Sequence, residues 1–405
     1  MTGRIPLLLK AVIFAAWALT CAAPTPQPTP AEEFRDLLLK SSSFTPDELS
    51  ALERGEVVVK LLPVTDKREV AFCGVARLQG DPTALLAAFE GSLTQSNNRV
   101  ILGGGKLSTP PSPEDLKSLW LDKRDVDEIK RCAAGDCNVK LSAPMIARLK
   151  EGVDWGAPDY GLRATRLYRQ LLSDYARDYL ARGDEALVEY DGRAGESSPA
   201  EEQRTLLDSL PYVGDSAPEF AAYLRSFPRL ELPGVENTLH WSKINFGFKP
   251  IVVVAHTATY TRVRGDAAQI LVATKQLYAN HYLDSSLSLT LLFGAPASGG
   301  TSDTYLLYVN RSRVDMLDGL MGGVKRLVIE SRVTDGLRTV LQQTKLSVET
   351  RAANRLDSEL GAYDEAESPT GRLLRNIRYG SLALPLVAGL LLLWLRRREM
   401  KARGT

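Results

Sequence analysis

The chain has 405 residues, 44% of them hydrophobic and 24% charged, an ordinary globular composition long enough for one large or two smaller domains. Lys and Arg total 50 against 49 acidic residues, so there is no basic excess to argue for a nucleic-acid partner. Three histidines and four cysteines leave little supply for a metal centre built on several such ligands.

Arg4 and Lys10 precede an apolar run at 11–20 (AVIFAAWALT), followed by Cys21, Ala22 and Ala23. A basic start, a short apolar core and small exit residues have the layout of a secretory signal over 1–22, cleaved after Ala22. Lipidation at Cys21, for which Thr20 is a poor preceding residue, and a retained amino-terminal anchor are the alternatives. Residues 23–50 read as a proline-rich, semi-rigid spacer and a short helix.

The body is expected over 51–348. Residues 55–62 (GEVVVKLL) and 68–78 (REVAFCGVARL) read as a strand pair. Asp81 and Pro82 suit the N-cap and first turn of a helix. The Gly103–Lys106 run is followed by Leu107, where a phosphate-binding loop needs Ser or Thr, so no nucleotide site and no cofactor is assigned. Those glycines read as a loop. Residues 112–130, 159–183, 198–210 and 216–227 read as helices, making 92–232 a helical insertion. Within it Cys132 and Cys137 flank Gly135, which suits a local disulfide in an oxidising compartment. Two free thiols, or a zinc pair lacking its second half, are the other readings. Cys73 reads as a buried small hydrophobe.

From residue 237 the texture changes. The segments 251–262, 269–283, 287–293 and 304–309 are rich in β-branched and aromatic residues. Their spacers carry turn residues and are too short for parallel crossovers, so the strands should be antiparallel neighbours. After Arg313, Leu320, Val324, Leu327, Val328, Leu337, Val340 and Leu341 recur at helical spacing. Gly322 and Gly323 near its start would let that helix approach the sheet. The fold class is therefore α+β, an antiparallel sheet with a long carboxy-terminal helix. Residues 349–378 read as a charged stalk.

Residues 379–395 (YGSLALPLVAGLLLLWL) carry no charge over 17 positions. As a helix they would cover about 25 Å, near the ~30 Å hydrocarbon thickness of a bilayer. Tyr379 and Trp394 sit at the ends as interfacial aromatics, and Arg396 could snorkel. The tail 396–405 is the more basic flank, which places it in the cytoplasm. The expected topology is a single-pass protein whose body is extracytoplasmic, periplasmic or extracellular, and whose partner is the bilayer.

Lys275 and Arg311 stand among apolar strand residues and so need either a carboxylate or an anionic ligand. His256 and His281 lie in strands, as does His240, and read mainly as hydrogen-bonded sheet histidines. Trp241, Tyr278 and Tyr308 would line a cavity or serve as plain core. No catalytic group and no metal site is assigned.

The order of elements, a strand pair at 55–78, a helix from Asp81, antiparallel strands up to Val309 and a long terminal helix, resembles the START-like, polyketide cyclase-like helix-grip superfamily. The resemblance covers 55–89 and 237–345 and rests on architecture. It implies a curved sheet wrapped on the terminal helix, with a hydrophobic ligand such as a lipid between them. Trp241, His256, Lys275, Tyr278, His281, Tyr308 and Arg311 would then be pocket residues. The alternatives are a structural or partner-binding envelope protein without a ligand, and, last, an enzyme.

Overall fold

The computed structural model describes residues 30–40, 44–97, 101–190, 198–245, 249–264, 267–294, 303–317 and 322–361. The chain opens with α1 (Pro30–Lys40), α2 (Pro46–Glu53), β1 (Val58–Leu61), β2 (Glu69–Gln79), α3 (Pro82–Asn97) and β3 (Ile101–Lys106). A helical stretch follows: a short 3-10 turn at Pro113–Leu116, α4 (Lys123–Arg131), α5 (Ala143–Gly152), α6 (Tyr160–Arg182), α7 (Pro199–Asp208), α8 (Pro211–Ser216) and α9 (Pro218–Ser226). It ends with β4 (Val235–Ile244), β5 (Ile251–Arg264), β6 (Ala267–Ala279), β7 (Leu283–Gly294), β8 (Asp303–Val314) and α10 (Gly322–Gly361).

The strands form one eight-stranded antiparallel sheet in the order β1-β2-β8-β7-β6-β5-β4-β3. The five consecutive strands β4 to β8 are a meander. Strand β2 docks on β8 along eleven residue pairs from Glu69–Arg313 to Gln79–Asp303. Helix α3 carries the chain from β2 on one side of the sheet to β3 at the far edge, packing against β6 and β7 on the way.

Both faces are covered, so every described residue of β7 is buried. On one face α3 and α10 pack through Leu85, Phe89 and Leu93, and Val333, Leu337 and Leu341, onto Val70, Phe72, Val253, Val272 and Leu306. Gly74 sits beneath α10. A Cβ there would lie 2.7 Å from Leu337 and from Leu341, so the missing side chain is what lets the helix settle on β2. Asp81 caps α3, its Oδ1 accepting from the amides of Thr83 and Ala84. The other face carries two cores. Helices α1, α2 and α7 to α9 cover β2 and β6 to β8, while α4 to α6 cover β4 and β5.

Several elements differ from the sequence reading. Residues 101–106 form a strand, not a loop, because Gly103 and Gly105 lie flat against the Trp241 ring of β4. Residues 112–130 split into the 3-10 turn and α4. Helices α1 and α2 belong to the core and not to a spacer. Phe34 is buried with its ring 5.1 Å from Tyr305 and 5.4 Å from Phe293. Gly322 meets the Leu317 carbonyl in the turn before α10, not the sheet, and Gly323 faces open space. Among the described residues no helix is long and apolar enough to cross a membrane. The stretches 1–22 and 379–395, with Tyr379, Trp394 and Arg396, lie outside the described residues.

Candidate ligand-binding site

Six of the seven predicted pocket residues fall on the face away from α10 or at its rim, and each has protein partners. The Trp241 indole donates to the Asp115 carbonyl at 3.0 Å. Tyr278 donates to the Lys140 carbonyl at 2.8 Å and accepts from Tyr168 at 3.1 Å. His256 contacts Tyr179 OH through Nδ1 at 2.9 Å and Asn237 Oδ1 through Nε2 at 2.8 Å, and Tyr223 donates to the same Asn237 oxygen. Those partners are mutually consistent if Tyr179 donates to Nδ1 and Nε2 carries the proton. Burial, with the Lys275 charge added, lowers the His256 pKa to about 3, so the ring stays neutral.

Lys275 and Arg311 have carboxylate partners within the protein. Lys275 Nζ lies 2.7 and 3.0 Å from the two Asp184 oxygens. Arg311 is bonded to Glu69 and also donates to the Pro63 carbonyl. His281 Nε2 is 2.9 Å from Asp125 Oδ1, and Asn280 holds the other Asp125 oxygen, which fastens α4 to the β6–β7 turn. Between His256, Lys275 and Phe227 a cavity of about 10 Å³ has room for a single water. A second, open pocket of about 310 Å³ lies at the start of α4 beside Lys249, where Lys123 and Lys249 pair with Asp127 and Glu128. Cys132 and Cys137 are disulfide-bonded at the end of α4.

Tyr308 alone of the seven lies on the α10 face, 5.6 Å from Phe89 and 6.3 Å from Phe72 by ring centroids. Around it is a feature that the residue choice missed. One cross-strand row runs Phe72–Asn310–Ser288–Thr274–Thr257–Thr238, each pair in direct register. Paired residues share a face, and Phe72 belongs to the α10-side core, so this is a polar row beneath a hydrophobic layer. The adjoining row holds Ser312 and Ser286 on β8 and β7, and Gln276, Ala255 and His240 on β6, β5 and β4. Ser242 stands two residues beyond His240, on the same face.

Part of this belt satisfies itself. Thr257 and Thr274 hydroxyls lie 2.9 Å apart, Ser286 and Ser312 hydroxyls 2.7 Å apart, and Ser312 donates to Asn310 Oδ1 at 2.9 Å. Four buried atoms do not: His240 Nδ1, Ser242 Oγ, Gln276 Oε1 and Asn310 Nδ2 have no hydrogen-bond partner. Their residues are at most 4% exposed. Each such atom costs about 1–3 kcal/mol of desolvation unless something satisfies it. Burial lowers the His240 pKa to about 4, so its imidazole is neutral. His240 Nδ1 and Ser242 Oγ are not bonded to each other, so these two do not form a nucleophile–base pair.

The belt is also free of buried charge. Among the described residues the buried charged side chains lie on the other face or at its rim. Register places Glu69, Lys243, Lys275 and Arg313 there, and their partners place Asp125, Lys140, Glu202 and Asp284. These form networks: Lys140 bridges Asp284 and Asp315, and Arg313 reaches Glu202 at 3.5 Å and Asp66 at 3.6 Å. No group of three or more metal-binding side chains occurs among the described residues.

The sequence does carry a signal for the belt. Polar residues alternate at 238, 240 and 242, at 274 and 276, at 286, 288 and 290, and at 310 and 312, in strands otherwise rich in apolar residues. Comparison with protein-family models, curated proteins and solved structures found no match.

Proposed function

We propose that the protein is a membrane-anchored, extracytoplasmic binding module that holds a lipid or other hydrophobic ligand between the sheet and helices α3 and α10. The arrangement is helix-grip-like: β2 from the start of the chain pairs with β8 from its end in one antiparallel sheet, and the terminal helix lies on β2. The observation that carries the reading is a group of four unpartnered polar atoms on the α10 side, where no buried charge accompanies them; other unpartnered atoms, such as Gln203 Oε1 and Trp155 Nε1, lie elsewhere in the described residues. A structural polar network closes on itself, as the His256 network does. A surface that recognises a mostly apolar molecule combines apolar walls with a few polar atoms left for the ligand.

Extraction of the purified full-length protein with organic solvent, followed by mass spectrometry, tests the reading. Recovery of a stoichiometric apolar compound is expected, and an empty extract from protein that also binds no added lipid would overturn it. The topology is tested separately by fusing alkaline phosphatase after residue 361, where an inactive fusion would refute the extracytoplasmic placement.

A further inference from the structure

We infer that the ligand of this site has an uncharged, hydrogen-bond-donating head, of the hydroxyl or primary-amide class, seated over Ala255 between His240, Ser242 and Gln276. The inference rests on the binding reading above and adds the chemistry of the head. Three of the four unpartnered atoms belong to β4 and β6, the two strands that flank β5. Ala255 stands between His240 and Gln276 in one cross-strand row, so two long side chains flank a residue with a single methyl group. Val253 likewise pairs with Ser242 on one side and with Ala279 on the other. The side chains of the sheet itself are therefore short between the polar ones.

The free valences set the class. Gln276 Oε1 can only accept, Ser242 Oγ can donate or accept, and the neutral His240 Nδ1 accepts in one of its two tautomers. A hydroxyl or amide N–H satisfies these atoms, whereas a carboxylate or phosphate brings more acceptors to a site that already has them. An anion would also lack a counter-charge. The buried cations Lys140, Lys243, Lys275 and Arg313 are paired on the other face or at its rim. Lys106, the register partner of His240, is exposed on the edge strand. On the covering helices Arg332 is already engaged, and Glu90 is itself an acid.

Three probes with one acyl chain separate the possibilities: monoolein, with a glycerol head; methyl oleate, with no donor; and oleate at pH 8. Each is titrated against the full chain held in amphipol, read by native mass spectrometry and thermal shift. Monoolein should bind tightest. Ser242→Ala and Gln276→Met, each small or near-isosteric, should each weaken it ~10-fold while leaving methyl oleate unchanged. Oleate binding tighter than monoolein, or both variants binding monoolein as the parent does, would overturn the head-group assignment and leave the binding reading standing. Binding of none of the three, together with an empty extract, would remove both.

Discussion

The two faces of the sheet solve the same problem differently. The face under α4 to α9 buries histidine, lysine, arginine and carboxylates and pairs its charges within the protein, while single atoms such as Gln203 Oε1 and Trp155 Nε1 stay unpartnered. The face under α3 and α10 buries hydroxyls, amides and one imidazole without charge, and leaves four atoms open. Buried polarity alone is thus a poor marker of a site. Open polar atoms grouped where no buried charge accompanies them are the better one, because an open network destabilises the fold until something fills it.

The largest test acts on the closed face. Lys140→Met removes the cation that Asp284 and Asp315 share and leaves Asp284 to Arg68 at 3.6 Å, which should cost about 3 kcal/mol. Urea denaturation would show it as a lower midpoint, and the apolar probes should still bind whatever remains folded. Tyr179→Phe is smaller. It strips the donor from His256 Nδ1 and should cost about 1–3 kcal/mol, again without changing ligand uptake. A loss of binding in either variant would show that the two faces are not independent.

Glu90 on α3 sharpens the comparison from the other side. Burial raises its carboxyl from the ordinary 4.5 to about 7, and no cation pairs with it among the described residues. A raised acid pKa means that the folded state resists ionisation. Stability attributable to Glu90 is unimpaired below pH 4.5, falls as pH rises towards 7 and stays low above it. Glu90→Gln should therefore match the parent near pH 4.5 and melt a few degrees higher at pH 8 by differential scanning fluorimetry, about 1–2 kcal/mol. The smallest effect is expected for Gln276→Met in the ligand-free protein. Removing an unpartnered acceptor should be neutral or stabilise by up to ~1 kcal/mol, the reverse of the usual core polar loss. A clear destabilisation would mean that Oε1 is satisfied within the fold.

The meander and the long helix were legible because β-branched runs, short polar turns and a three-to-four apolar spacing are local properties. Strand β3 was not, since three glycines have no strand propensity, and only the Trp241 ring laid across Gly103 and Gly105 explains the pairing. Helices α1 and α2 looked peripheral for want of length, and their place in the core depends on Phe34 meeting Phe293 and Tyr305 from the far end of the chain. The site was hidden for a related reason. In strands buried on both faces, alternation separates one interior from another and not inside from outside, so charged Lys275 and Arg311 drew notice while Ser242, Gln276 and Asn310 did not.

The junction of β2 with β8 sets the tempo at which such a molecule can form. Arg311 meets Glu69 across 242 residues of sequence, and Arg77 meets Asp303 across 226. Until β8 has been synthesised, the β1–β2 hairpin has no neighbour on its inner side, and Cys73, Val75 and Phe72 have no core to enter. Closing a loop of that size is entropically costly before any contact rewards it, and folds dominated by such pairings assemble slowly. A chain interrupted before residue 303 would keep the helical stretch and most of the meander, yet expose the flank of β7 as an open apolar edge. Full-length synthesis is thus a condition for a sheet that does not seek pairing partners on other chains.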